Sequence, residues 1–218
     1  MNLSKRLYAI YQFVPKGAVV ADVGADHGKL IISLVKDGII PFGYAIENKS
    51  GPYKRLFSNI KQEGLLDKIT PVLDDGIHNL DPKVDTLVLA GLGGLLISDI
   101  LKKYPENLKN IGNIICDAHT ANDEMRRAIV SLGYRIKKEM MVFEDKIYYE
   151  IIRFAKGKDN YSDDDYIFGP ILRIEQGDLY EEKWNKRVAK IEELLEQDIG
   201  SDRKKELLKE REMILRNL

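Results

Sequence analysis

The 218-residue chain holds a single cysteine, Cys116, and only three histidines, His27, His78 and His119. One thiol excludes an internal disulfide and a cysteine metal cluster, and the histidines lack the spacing that gathers ligands around an ion, so no metal site is expected. Cys116 ends the apolar run Ile114-Ile115-Cys116, where a thiol belongs to the core rather than to a reactive centre. No apolar run approaches the roughly 18 residues of a membrane span. The first residues also lack the basic, apolar, small-residue order of a secretory leader, so no membrane contact and a cytoplasmic location are expected. Neither sign of charge dominates, the formal net charge being −1. Nothing in the composition points to a protein partner.

What is present is a 44% hydrophobic chain, long enough for one sizeable core and an appendage. Leu3, Leu7, Ile10, Tyr11 and Val14 fall at helical spacing until Pro15-Lys16-Gly17 stops them. Strands are expected over 18–23, 42–47, 69–73, 84–90 and 111–116. Helices are expected after the first strand and over 51–63, 94–103 and 121–132. The run from Val84 to Ala90 is almost wholly apolar, as a parallel strand covered on both faces should be. Residues 134–143 and 146–154 read as a hairpin with Glu144-Asp145 at its tip. Alternating strands and helices closed by an antiparallel hairpin describe an α/β fold, a doubly wound, Rossmann-like sheet of seven strands with one reversed. Class I methyltransferases have that order.

The composition changes near residue 157. Gly157 to Asp165, with its run Asp163-Asp164-Asp165, reads as a linker. Beyond it, Trp184, Val188, Ile191 and Leu195 make a narrow helical seam, and Leu207, Leu208, Ile214, Leu215 and Leu218 make a second, with Gly200-Ser201-Asp202 as turn and cap. The expected division is therefore a catalytic domain over 1–157 and an antiparallel helical hairpin, resembling a coiled coil, over 158–218. The first part carries an excess of basic residues and the second an excess of acids.

The most informative segment is Val19 to Leu30. An apolar strand brings Asp22 to a turn, Gly24-Ala25-Asp26-His27-Gly28, followed by a helix. Glycines allow the backbone to approach a ligand, and the helix start offers unpaired N–H groups. Glu47 ends the second strand roughly twenty residues later, the distance at which an acid accepts hydrogen bonds from ribose hydroxyls. A dinucleotide would want three glycines and no charge at the pyrophosphate, whereas Asp26 puts an anion there. S-adenosylmethionine has a ribose, no phosphate, and cationic sulfonium and amino groups, so the acids favour it. Ligands of such sheets lie across the carboxyl ends of the strands. Asp22, Gly24, Ala25, Gly28, Glu47, Asn48, Asp75, Gly76, Ala90, Gly91 and Leu92 are accordingly expected at the cofactor, with Asp75 facing an adenine amino group. The loop Ala90-Gly91-Leu92-Gly93-Gly94 lacks the Asn or Asp, prolines and aromatic typical of methylation at exocyclic amines. It would admit a flat base edge at Gly93 and Gly94, which points to a ring nitrogen. Lys5, Arg6 and Lys29 could supply local positive charge for a nucleic acid, although a solvated surface would look the same.

The chain resembles the bacterial tRNA (adenine-N1)-methyltransferases that modify position 22. The resemblance spans almost the whole sequence. It rests on Leu3-Ser4-Lys5-Arg6-Leu7, on Ala21-Asp22-Val23-Gly24-Ala25-Asp26-His27, on the Ala90–Gly94 loop, on Glu144 to Ile152, and on the coiled-coil tail. It implies S-adenosylmethionine as methyl donor, tRNA as substrate and partner, and a C-terminal helical arm that contributes to tRNA binding. Asp117-Ala118-His119 departs from the Gln-Pro-Asn-like stretch common in the family after the fifth strand.

Methylation at N1 creates a cation unless the N6 amino group loses a proton, so an anion or base beside the acceptor is expected. Asp26 is the candidate for that role and His27 the alternative. N1 is paired in a duplex, so the nucleotide must be exposed or flipped; Tyr8, Tyr11 and Tyr148 are candidate stacking partners that would serve equally as core. A small-molecule methyltransferase on the same fold and a non-catalytic RNA-binding protein are the competing readings.

Overall fold

The structure, a computed structural model, describes residues 3–218. A first compact unit ends at Asp159 and a second spans Asn160–Leu218.

In the first unit, α1 (Lys5–Phe13), capped by the Ser4 side chain, precedes β1 (Val19–Val23), α2 (Lys29–Lys36) and β2 (Phe42–Glu47). Then come α3 (Ser50–Gln62), β3 (Ile69–Leu73), β4 (Thr86–Leu92), α4 (Gly94–Lys103) and β5 (Asn113–Ala118). The unit closes with α5 (Asn122–Ser131), β6 (Tyr134–Glu144) and β7 (Ile147–Lys156). The sheet runs β3-β2-β1-β4-β5-β7-β6. Pairs among β1 to β5 are parallel, and β7 is antiparallel to both neighbours. Chain order reverses between β1 and β4, the switch point outside which ligands bind in open α/β sheets. The central strands are apolar because both faces are covered: Val20, Ala21, Leu87, Val88, Leu89, Ile114 and Ile115 are fully buried.

Two strands sit later than the apolar runs suggest. β4 and β5 begin at Thr86 and Asn113 because Asp85 ends the sheet there. Its carbonyl accepts the Gly112 and Asn113 N–H groups, and its carboxylate accepts those of Val19 and the Thr86 hydroxyl. At the other end β4 absorbs Gly91 as a bulge between Ala90 and Leu92. The hairpin tip is Asp145-Lys146, both in the left-handed region, rather than Glu144-Asp145.

One buried ionic cluster ties α5 to the hairpin. Arg126 donates to Glu139 Oε1 from Nε and Nη2 at 3.0 and 2.8 Å and to Glu150 Oε2 at 2.5 Å, all three side chains being buried.

In the second unit, Asp163-Asp164-Asp165 is not linker. It forms the first turn of α6 (Asp163–Phe168), where Ser162 and Asp165 make a capping box and three acids face the positive helix end. After α7 (Leu172–Glu175), the helices α8 (Asp178–Leu195) and α9 (Ser201–Arg216) pack through Val188, Ile191, Leu207 and Ile214. Arg187 holds Glu210 by two bonds of 2.7 Å. Leu208 and Leu215 lie outside this seam, 42% and 45% exposed.

Candidate active site

The glycine turn hangs from the end of β1. Gly24 and Ala25 both donate their N–H groups to the Ile46 carbonyl, at 2.9 and 3.0 Å, which pins the loop to β2. Gly28 starts α2 at φ +72, and a Cβ there would come within 2.7 Å of Leu56 Cδ1, so both backbone and space require glycine. Asp26 also has positive φ, a conformation that aspartate tolerates better than most residues. Its side chain is 66% exposed, with Oδ2 3.6 Å from His27 Nε2.

Glu47 closes β2 and is only 8% exposed. Its Oε1 accepts the Asn48 and Lys49 N–H groups at 3.0 and 3.1 Å, just ahead of α3, so a buried anion is held by two amides. After β3, Asp74 shapes the loop by accepting the N–H groups of Asp75 and Asn79. Asp75 is thereby left outward, near Asn48 Nδ2 at 3.5 Å and Lys103 Nζ at 3.9 Å.

These residues surround a cavity of about 320 Å³ lined by Gly24, Asp26, Glu47, Asn48, Asp75, Gly76, Ala90, Gly91 and Leu92. A second cavity, about 650 Å³, is walled by Arg6 and Leu7 of α1, by Asp22, Ala25, His27 and Lys29, and by His119, Glu144 and Tyr149. Gly24, Asp26, Ala90 and Gly91 border both. Two chambers thus meet at the ends of β1 and β4. Asp22 lies at the floor, and burial pushes its carboxyl up to about 7, so a cation arriving beside it would restore its charge.

Other expected residues lie elsewhere. Lys5 contributes its backbone, donating to Glu144 Oε1 at 2.8 Å. Gly28, expected at the cofactor, and Gly93 and Gly94, expected at the substrate, are not among the residues lining these two cavities. Gly94 is buried, and a Cβ on it would sit 2.2 Å from the Ala121 carbonyl oxygen, so its lack of side chain lets α4 pack on the loop before α5. Tyr8 and Tyr11 stack on each other, and Tyr148 lies against Phe143.

Sequence reasoning missed a cluster beside the larger cavity. Asp117 is fully buried, and its Oδ2 accepts from Arg6 Nη1 at 2.6 Å. Its Oδ1 has no hydrogen-bond partner among the described residues. Burial raises the Asp117 pKa, with Arg6, His119 and the Gly91 N–H pulling the other way. The Arg6 guanidinium lies over the Tyr149 ring at 5.2 Å, and His119 meets the same ring edge-on at 5.5 Å. The signal was the departure at Asp117-Ala118-His119; its partner Arg6 is 111 residues away.

The chain matches the Methyltransferase domain family over residues 3–152. A tRNA (adenine(22)-N(1))-methyltransferase of Bacillus subtilis is 26% identical, over 96% of this chain and 92% of its own length. A candidate tRNA (m1A22) methyltransferase of Streptococcus pneumoniae is 32% identical and superposes with a TM-score of 0.96 over 100% of both chains. A structure of that protein in complex with S-adenosyl-L-methionine superposes at 0.93, again over 100% of both chains. The chain with this glycine turn, switch-point cavity and helical C-terminal unit belongs to the bacterial tRNA (adenine-N1)-methyltransferase family of methyltransferase-domain proteins.

Proposed function

We infer that the chain transfers a methyl group from S-adenosylmethionine to N1 of adenine 22 of tRNA. The observation that carries this reading is the junction of two cavities at Gly24, Asp26, Ala90 and Gly91. One chamber has the acids of a ribose-bearing cation site, and the other is a larger recess with aromatic and charged walls.

The residues fit the cofactor. Glu47 keeps its second carboxylate oxygen for ribose hydroxyls while its first is fixed by backbone amides. Asn48, Asp75 and Gly76 line the same chamber, where an adenine would meet them. Asp22, Gly24 and Ala25 belong beside the cationic end, with Ala90, Gly91 and Leu92 as the opposing wall, while Gly28 serves by starting α2 behind the turn. When bound, S-adenosylmethionine supplies an electrophilic methyl group. The chain's part is to align the acceptor, exclude water and offset charge. Asp26, bordering both chambers, is assigned the electrostatic role, and His27 is positioned beside it. Arg6 and Lys29 border the substrate chamber.

The division into a catalytic portion over 1–157 and a tRNA-binding arm over 158–218 belongs to the same reading. So does a cytoplasmic location, where tRNA is found. No helix among the described residues is long and apolar enough to cross a membrane.

The test is incubation with labelled S-adenosylmethionine and unmodified bulk tRNA, followed by digestion to nucleosides. N1-methyladenosine is the expected product; label on another nucleoside, or none, overturns the reading. Glu47→Ala is expected to weaken cofactor binding by about 1 to 3 kcal/mol, the scale of a lost charge-assisted hydrogen bond. Calorimetry checks this, and an unchanged Kd removes Glu47 from the ribose site.

A further inference from the structure

We propose that Asp117 is a positioning residue that turns Arg6 into an electrically neutral wall of the substrate cavity, so that the positive charge created by methylation can settle there. The proposal rests on the N1-methylation reading.

Attack by adenine N1 forms the N1–C bond as the S–C bond breaks and its electron pair returns to sulfur. The positive charge therefore leaves the cofactor chamber and arrives on the adenine ring. Arg6 stands at that place. It lines the larger cavity, and its Nη1 lies 3.5 Å from where a Cβ on Gly91 would be, Gly91 bordering both chambers. An arginine stays charged at any working pH, and like charges repel more strongly where water is excluded. Left alone, Arg6 would oppose the product cation.

Asp117 removes that opposition. It is fully buried, so its charge is little screened, and it grips Nη1 at 2.6 Å. The guanidinium carbon also lies over the Tyr149 ring, 5.2 Å from its centroid, a second contact that holds the group at the cavity wall. Among the described residues the carboxylate of Asp117 is the one hydrogen-bonding partner of the Arg6 side chain, so further N–H donors remain for an acceptor in the cavity. Paired arginine keeps its directional donors without presenting net charge.

The test compares tRNA carrying N1-methyladenosine at position 22 with unmodified tRNA. Asp117→Asn keeps the shape and leaves Arg6 uncompensated. Its affinity for unmodified tRNA is expected to hold or rise, while binding of methylated tRNA weakens at least tenfold relative to it. Single-turnover methyl transfer should fall at least tenfold with the cofactor Kd unchanged. The double variant Arg6→Gln/Asp117→Asn restores neutrality and should return the ratio of the two tRNA affinities to the wild-type value. A purely structural role would move both affinities together and make the double variant the worse of the two. An unchanged ratio in Asp117→Asn, or a double variant that discriminates as strongly, overturns the proposal. Should Asp117→Asn fail to fold, the double variant carries the test alone, a ratio shifted from wild type overturning the idea. Wild-type protein that makes no N1-methyladenosine overturns the functional reading and this proposal together, whereas an active wild type with an unaltered Asp117→Asn ratio overturns this proposal only.

Discussion

Asp26→Asn is expected to slow methyl transfer by roughly 10²- to 10³-fold, the scale of losing one preorganised electrostatic group from an active site. Asparagine is the informative replacement because Asp26 lies at positive φ, a region that asparagine also tolerates, so the glycine turn keeps its shape and only the charge is lost. Alanine would add backbone strain of about 1 kcal/mol or more and confuse the two effects. The expectation follows from position. Asp26 borders both chambers with an exposed carboxylate, so in the proposed reaction positive charge would pass beside it on its way to the acceptor base. The measurement is single-turnover transfer to tRNA at saturating cofactor, with the cofactor Kd read by calorimetry. A large rate loss with little change in Kd fits the assignment. Near-normal turnover would remove Asp26 from the mechanism and move the expectation to His27, whose Nε2 is 3.6 Å away.

What could be read from the sequence follows from the range over which each signal acts. The strand and helix periods are local, so the succession of seven strands along the chain and the limits of α4 at Gly94 and Lys103 were legible. The glycine turn and Glu47 were legible because a βαβ unit keeps them within one short stretch of chain. Hydrophobic runs report burial rather than hydrogen bonding, which is why β4 and β5 begin two residues after the starts of their apolar runs, where Asp85 sets the register. Three consecutive aspartates read as solvated linker, yet behind a serine cap they suit a helix start. The reason for a glycine is equally hidden. Gly91 answers to a backbone φ of +73, a Cβ there meeting Arg6 and His119 only at ordinary contact distance, whereas Gly94, in the same loop, makes room for a backbone carbonyl. Asp117 and Arg6 could not be paired from the sequence at all, because only the folded sheet brings the end of β5 to α1.

Arg126→Met is expected to cost about 3 to 5 kcal/mol of folding stability, the largest structural effect of any single substitution considered for this chain. Arg126, Glu139 and Glu150 have almost no exposure to water. Removing the arginine leaves two carboxylates in a medium that solvates charge poorly, and their desolvation is no longer offset by its guanidinium. A protein of this size should then melt lower by roughly 10 °C or more. The loss reaches the site as well, because Glu150 adjoins Tyr149, and the β6–β7 hairpin carries Glu144 and Tyr149 to the substrate cavity. The triple change Arg126→Met/Glu139→Gln/Glu150→Gln removes all three charges together and should recover much of the stability, since the penalty lies in an uncompensated charge rather than in the absence of an ion pair. Thermal and urea unfolding of the single and triple variants separate the two causes. A single variant melting within about 2 °C of wild type would show that the cluster carries little of the fold. A triple variant no better than the single would assign the loss to the packing of the arginine stem instead of its charge.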